Sequence, residues 1–223
     1  AFLSNLSRGE AYLSMAPTLW DVTFRTAVAQ AELEDREMPG AYHRLGFDGP
    51  EGKIFIETTR PELVPACVAL VAHPDDERYQ HLFGQSAKTP IFGVEVPIVA
   101  HPLAQIDKGS GIAMICTFGD VTDVIWWREL KLPMRPIIGF DGRILTEGPQ
   151  EILDGKGAEL YAEIAGKTVF SAKEVLVKAF MESGDMVGEP KPITHPVKFF
   201  EKGDKALEIV STRQWYIKNG GND

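Results

Sequence analysis

Cysteine is almost absent. Cys67 and Cys116 are the only two in 223 residues, too few for a disulfide framework. No Cys-x-x-Cys pair and no Cys/His spacing suggests zinc, so a reducing, cytoplasmic setting is the simplest expectation. Long apolar runs are also missing. None approaches the roughly 18 residues of a helix that crosses a bilayer, so no membrane partner is expected. Cations are the minority charge, 23 Lys and Arg against 32 Asp and Glu, for a formal charge of -9. That excludes a free-standing, non-specific nucleic-acid binder, whose affinity comes from neutralising phosphates. It leaves room for a domain that touches one nucleotide end while a partner domain grips the rest. There is no Gly-x-Gly-x-x-Gly, P-loop, His-Glu-x-x-His or Gly-x-Ser-x-Gly, so the chemistries those motifs serve lack a signature. An initiator Met and a signal peptide are missing too. The chain opens and closes in mid-pattern, ending on Gly220, Gly221, Asn222 and Asp223, and reads as a piece of a longer protein.

What is present is globular in kind. Hydrophobic residues make up 44% and charged residues 25%, enough for one large domain or two small ones. Residues 2–16 read as a short amphipathic helix stopped by Pro17. Strand alternation follows at Val22, Phe24, Thr26 and Val28, and residues 29–34 suit strand or helix. Near the other end Leu207, Ile209 and the Trp215-Tyr216-Ile217 run are also strand-like. Extended arms at both ends suggest an antiparallel ribbon, the stalk of a domain inserted in a host; two edge strands of one sheet are the plainer reading. Between them, residues 53–57, 68–72 and 112–118 read as strands, and residues 90–100 as one or two more. Pro74 opens an expected helix that closes at Gly84, and residues 121–130 form another. Asp141-Gly142 marks a hairpin. Ser171 and Glu174 make a capping box for a helix that Gly184 ends. Short strands interrupted by helices, without regular βαβ alternation, predict an α/β fold with a mixed, barrel-like core flanked by helices. The expected divisions are an N-terminal arm (1–40), a core (41–194) and a C-terminal arm (195–223).

Three segments carry candidate chemistry. Thr58, Thr59 and Arg60 follow a strand and precede a break at Pro61. Their hydroxyls, backbone N–H groups and guanidinium suit a phosphate, a ribose or a carbonyl oxygen. A Thr-rich strand end with a surface Arg is the plainer alternative. Gly109, Ser110 and Gly111 precede a strand, where glycines permit close approach of a ligand or simply a turn. Asp120 and Asp123 stand three apart at a helix start, on one side of the first turn. They suit an ammonium group or a water, and equally suit an N-cap and an acidic first turn. The histidines at 43, 73, 81, 101 and 195 are scattered, so no metal site is expected. Trp126 and Trp127 read as core.

In this order the segments resemble the editing domain inserted in class I valyl-tRNA synthetases. The resemblance runs through Glu57-Thr58-Thr59-Arg60-Pro61-Glu62-Leu63 and Val71-Ala72-His73-Pro74-Asp75-Asp76-Glu77-Arg78-Tyr79. It continues through Gly109-Ser110-Gly111, Asp120 and Asp123, and closes on Ser211-Thr212-Arg213-Gln214-Trp215-Tyr216. The Thr-Thr-Arg-Pro run is shared with the isoleucyl and leucyl editing domains; Glu62 and the run at 73–79 look valyl. The signatures of the ATP-dependent catalytic domain are absent.

The resemblance implies hydrolysis of the ester joining threonine to the 3′ end of tRNA(Val). Threonine replaces a valine methyl by a hydroxyl. An apolar pocket rejects such an isostere by only about 10²-fold, valyl-tRNA synthetase being the standard instance rather than a value read from this chain. It also implies roles. Asp123 would bind the substrate ammonium. Asp120 would help read the ammonium or the hydroxyl. Thr58 would act at the ester, with Thr59, Arg60 and Glu62 beside it. Gly109, Ser110 and Gly111 would pack on the terminal adenosine. No metal and no cofactor is implied for editing, ATP serving only the catalytic domain. The implied partners are the tRNA 3′ end and the host synthetase, with a monomer expected. Met114 and Cys116 would also line the substrate site, and there the chain departs from the valyl pattern, since they replace an expected Lys and Thr. That departure motivates two alternatives: a 3′-end positioning module without hydrolysis, and an isoleucyl-type editor that clears valine.

Overall fold

The computed structural model describes residues 2–152 and 155–218; the Gly220 to Asp223 ending lies outside the described residues. Helix α1 spans Phe2–Ser7 and strand β1 spans Ala11–Asp21. The helix expected over 2–16 therefore stops early. Gly9 turns the chain at φ +71°, and the residues from Ala11 onward pair instead of coiling. Pro17 sits inside β1, in a stretch where the strand has a partner on one side only. The strand expected through Val28 also breaks. Asp21 Oδ1 accepts from the Thr23 and Phe24 N–H groups at 2.8 and 2.7 Å, and this turn leaves only a short β2, Thr26–Ala27. A 3-10 turn at Gln30–Glu32 follows.

The ribbon between the two ends of the chain is there. Strand β10, Glu208–Ile217, pairs antiparallel with β1 from Ala11↔Ile217 to Trp20↔Glu208. A second ribbon has no counterpart in the sequence expectations. β3 is 17 residues long, Leu33–Gly49, and its first half pairs antiparallel with β9, Lys191–Phe200. Both β3 and β9 run across the divisions placed at 40 and 194.

The second half of β3 turns at residues 50–51 into β4, Gly52–Thr58. With β5 (Cys67–Ala72), β6 (Ser86–Lys88), β7 (Glu95–Ala100) and β8 (Ile112–Cys116) they form a curled sheet. Its order is β4-β3-β6-β7-β5-β8, with β5 and β7 parallel and the other pairs antiparallel. The outer members β4 and β8 pack on each other, which closes the curl toward a half-barrel. The fold is thus mixed α/β with a barrel-like core, as the pattern of short strands predicts.

The helix expected from Pro74 to Gly84 is a series of turns ending in a 3-10 turn, Gln80–Leu82. Asp76 diverts the chain there, taking the Arg78 N–H and guanidinium onto its own carboxylate. Helix α2, Val121–Glu129, matches its expected position, while α3, Gly155–Ile164, has no expected counterpart. α4 spans Val169–Ser183 and ends on Gly184 at φ +78°. Its N-cap is Thr168, whose Oγ1 accepts from the Ser171 N–H at 3.2 Å; Ser171 is inside the first turn rather than capping it. The Asp141-Gly142 turn is a tight bridge, Ile138↔Ile144, rather than a pair of strands.

The main core lies between the sheet and α3 and α4, around Leu45, Phe47, Ile56, Leu70, Ile98, Ile164, Leu176 and Phe180. A smaller cluster of Val68, Ala69, Val71, Ile115 and Trp126 fills the space under α2. β5 contributes to both and is buried along its whole length, which explains its unbroken apolar run. No described helix is long and apolar enough to cross a membrane.

Candidate functional site

β4 ends in the Thr58, Thr59, Arg60 segment. Thr58 Oγ1 accepts from the Arg60 N–H at 3.1 Å, and Pro61 then starts a buried 3-10 turn, Pro61–Ala66. This local hydrogen bond turns the Arg60 side chain inward. Its Nε donates to Glu62 Oε1 at 2.9 Å and its Nη2 to Glu208 Oε2 at 2.9 Å. Nη1 reaches the Gly119 carbonyl at 3.4 Å. Burial opposes the Arg60 charge, but Glu208 and Glu62 outweigh it and hold the guanidinium above its ordinary value. Burial pushes the Glu208 carboxyl up, with Arg60 pulling it back. From α4, Lys173 Nζ donates to the Thr59 carbonyl at 2.7 Å, fixing the segment from the other side.

The two aspartates cap α2 reciprocally. Asp120 Oδ1 accepts from the Thr122 N–H at 2.7 Å and the Asp123 N–H at 3.1 Å. Asp123 Oδ2 accepts in turn from the Gly119 N–H at 2.7 Å and the Asp120 N–H at 3.3 Å. Asp120 is exposed, whereas Asp123 is buried. Burial pushes the Asp123 carboxyl well up, the Asp120 charge adds to it, and the backbone donors oppose both. Gly119 joins this turn to the first segment. A Cβ on it would stand 2.8 Å from Asp123 Oδ2 and 3.2 Å from Leu63 Cδ1.

The glycine pair at the other end of β8 is built differently. Gly109 has φ +59°, and a Cβ there would come within 3.3 Å of the Glu57 side chain. Gly111 has φ +80° and lies under an ion pair that earlier residues supply. Arg78 Nε and Nη2 donate to the two oxygens of buried Asp76 at 2.8 and 2.7 Å, and Nη2 also donates to Ile106 O at 2.8 Å. The Arg78 hydrogen bond holds the Asp76 carboxyl below its ordinary value. Tyr79 Oη donates to the Ser110 carbonyl at 2.7 Å. The Asp76, Arg78 and Tyr79 side chains therefore set the shape of the Gly109-Ser110-Gly111 loop.

Arg60 meets Gly119, whose N–H is held by Asp123, at one end of β8; Gly109 lies beside Glu57 at the other. Met114 and Cys116 are buried in the main core, in register with Leu70 and Cys67 of β5. Burial, then a hydrogen bond with Cys67, raises the Cys116 thiol well above its ordinary value. Sequence reading gives no role to three residues of this region: Lys173, Glu208 and His43. His43 faces Thr58 across the β3–β4 ladder, is buried, and neither ring nitrogen has a partner among the described residues. Burial and the nearby Lys173 charge lower its pKa, which favours the neutral ring. Its place two residues before the inward-facing Leu45 and Phe47 is the signal that could have found it. No group of three or more His, Cys, Asp or Glu among the described residues is placed to hold a metal ion.

No family model matches the chain. Among characterised proteins, it is 73% identical over its full length to a valine-tRNA ligase of Leifsonia xyli subsp. xyli, of which it spans 26%. It is 68% identical to that of Cutibacterium acnes and 69% identical to that of Thermobifida fusca, again along the whole chain, spanning 26% and 25% of them. The chain thus spans about a quarter of the length of the relatives it matches. The likeness to the valyl editing domain that the motifs carry extends from one end of the chain to the other.

Proposed function

From the premise that this chain is similar throughout to a quarter of valine-tRNA ligase, we propose that it edits. It hydrolyses the ester of threonine wrongly joined to the 3′ end of tRNA(Val), as one domain of a larger ATP-dependent ligase. The observation that supports this reading is the meeting of Arg60 with Gly119, whose N–H is held by Asp123, so that the segment after β4 adjoins the turn that starts α2. The aminoacyl ester has an ammonium group on one side of its carbonyl and a ribose on the other. The acidic turn suits the first and the Thr58, Thr59 segment suits the second.

The chemistry asks for positioning more than for a nucleophile on the protein. A water adds to the ester carbonyl, the tetrahedral intermediate collapses, and the ribose oxygen leaves with a proton. Threonine and a free 3′ end result. Holding the water and the carbonyl in line removes most of the entropic barrier, and backbone donors near the developing oxyanion lower the rest. This step needs no metal and no cofactor, and ATP belongs to the ligase reaction alone. Asp123 is assigned to the ammonium from the resemblance, although burial favours its neutral form. A cation docking against it offsets that preference only when substrate is present. Discrimination against valine follows if the site offers the threonine hydroxyl a partner that valine leaves unpaired. The host ligase supplies the remaining grip on the tRNA, in the cytoplasm and as a monomer.

A second reading has its own support. Met114 and Cys116 are core residues, and the Arg60 guanidinium is already engaged by Glu62, Glu208 and Gly119. That favours a module that positions the 3′ end without hydrolysis. An isoleucyl-type editor has less support, since the similarities described above are to valine-tRNA ligases. The parent ligase is tested with Thr-tRNA(Val) and Val-tRNA(Val), wild type against Asp123→Asn and Asp123→Ala. Loss of threonine alone, abolished in both variants, supports editing. Equal slow decay in every reaction sinks it and leaves the positioning reading.

A further inference from the structure

The peptide unit between Thr59 and Arg60 is held at both ends. Its carbonyl oxygen accepts from Lys173 Nζ at 2.7 Å, and its N–H donates to Thr58 Oγ1 at 3.1 Å. The two groups lie on opposite sides of one rigid plane, so fixing either fixes the other. The Thr58 bond is local, made two residues along the chain. The Lys173 bond spans 114 positions and comes from a different element. Packing explains its reach. Ala172 and Leu176 are fully buried and seat α4 on the core, and α4 packs on the Pro61–Ala66 turn. Lys173 lies between them in sequence and is half-buried. Burial lowers its pKa, and the Glu62 charge opposes that. A half-buried ammonium needs an acceptor, and the Thr59 carbonyl is its one hydrogen-bond partner among the described residues.

The consequence falls on Thr58. A hydroxyl has one proton to donate and two lone pairs to accept with. The Arg60 N–H takes a lone pair, and the Thr58 O–H has no acceptor among the described residues. Its side chain lies on the inner face of the sheet with Ile54 and Ile56. His43 faces it across the ladder, but neither His43 ring nitrogen has a partner among the described residues, so the proton is not spent there. If the peptide unit turned over, its carbonyl would face Thr58 and take that proton. Lys173 opposes the turnover by binding the carbonyl on the far side.

We infer that Lys173 is a positioning residue for the ester: by holding the Thr59 carbonyl it keeps the Thr58 hydroxyl a donor, available to an oxygen of the aminoacyl ester or its ribose. The inference rests on the editing reading, which puts Thr58 at the ester. It adds a residue from α4, more than a hundred positions away, that acts on the substrate only through Thr58.

The test is a double-variant cycle in the parent ligase with two readouts. One is single-turnover deacylation of Thr-tRNA(Val). The other is binding of a hydrolysis-resistant probe, threonine joined by an amide to 3′-amino-3′-deoxyadenosine, with a non-hydrolysable valyl-adenylate analogue filling the ligase site. Lys173→Met is expected to slow deacylation, and to weaken probe binding, by roughly 10-fold each. Lys173→Arg keeps a donor and recovers most of both. Thr58→Val removes the hydroxyl at nearly constant shape. The double variant is expected to match Thr58→Val within about 2-fold, because the lysine acts through that hydroxyl. A lysine that only steadies the fold gives losses that multiply and that follow the thermal melts. That result, or a Lys173→Met variant that behaves like wild type, overturns the inference. The two readings fail separately. A wild type that binds the probe without hydrolysing Thr-tRNA(Val), with the same cycle in affinity, keeps the role of Lys173 and removes editing. One that edits while the losses multiply removes the role of Lys173 alone. One that neither binds nor edits removes both.

Discussion

Arg60 Nη2 donates to Glu208 Oε2 at 2.9 Å across 148 positions of sequence. The contact ties the end of β4 to the start of β10, so the segment proposed to hold the ester and the ribbon at the chain's end share one buried charge. Glu62, also buried, takes the Nε of the same guanidinium. One cation is therefore shared by two buried carboxylates.

Removing that cation is expected to be costly. Arg60→Met leaves Glu208 without its cation and Glu62 with only the nearby Lys173 charge. Breaking a buried pair typically costs about 3–5 kcal/mol, and the low end applies because the Arg60 side chain is 24% exposed. Urea denaturation measures it. Adding Glu208→Gln to Arg60→Met is expected to recover part of the loss, since one stranded charge goes. A double variant no more stable than the single one would mean that Glu208 is not what Arg60 neutralises.

Gly111 is held by crowding as well as by backbone conformation. Its φ is +80°, and a Cβ there meets the Arg78 guanidinium and stands 2.8 Å from Ile106 O and 2.9 Å from Asp76 Oδ2. Gly111→Ala thus combines backbone strain with displacement of a two-point ion pair. A loss of about 2 kcal/mol or more is expected in denaturant titration. Gly84 has nearly the same φ, +81°, with nothing near its Cβ position. Gly84→Ala is expected to cost only about 1 kcal/mol, the strain alone. Equal losses at the two sites would show that crowding by Arg78 and Asp76 contributes nothing.

Asp123 predicts a pH dependence of known sign. Burial raises its folded-state pKa, while in the unfolded chain the carboxyl titrates near ~3.9. Below that pH both states hold the proton and the neutral buried carboxyl stabilises fully. As pH rises the unfolded chain gives up its proton first, so the stabilisation falls, and it is gone once the folded carboxyl has ionised. Asp123→Asn keeps a neutral group at every pH. Wild-type stability minus variant stability, read by denaturant titration at each pH, is expected to decline as pH rises from 4 to 8. A difference that stays flat would mean that the backbone donors at Gly119 and Asp120 cancel burial, and one that rises would mean that they outweigh it.

The sequence makes some of this visible, for reasons that differ by element. β5 and β8 are apolar runs buried on both sides, and such runs need no partner to be recognised. The first half of β3 carries Glu34, Asp35, Arg36 and Glu37, and only its pairing with β9 makes it a strand. Tyr12 and Leu13 suit a helix face as well as a strand; pairing with Tyr216 and Trp215 decides the matter. At the candidate site, residue types at Thr58, Thr59, Asp120 and Asp123 are legible, because hydroxyls and paired carboxylates announce themselves. What surrounds them is not. Glu208, Lys173 and Asp76 act on neighbours brought close by the fold, and Asp76 lies in a run whose pattern suits a polar helix.

Asp120 lets capping and chemistry be separated in one residue. Its Oδ1 accepts two N–H groups of the first turn of α2, a task for which asparagine serves nearly as well. Alanine does not, and Asp120→Ala is expected to lose about 1 kcal/mol of stability. Under the editing reading the carboxylate also faces a substrate ammonium, and there the charge matters. Asp120→Asn is then expected to melt within about 0.5 kcal/mol of wild type, the scatter of ordinary surface changes. Its deacylation of Thr-tRNA(Val) is expected to be slower by 10-fold or more, about 1.4 kcal/mol of lost transition-state stabilisation. Full activity in the asparagine variant would confine Asp120 to its helix, and the ammonium would then fall to Asp123 alone.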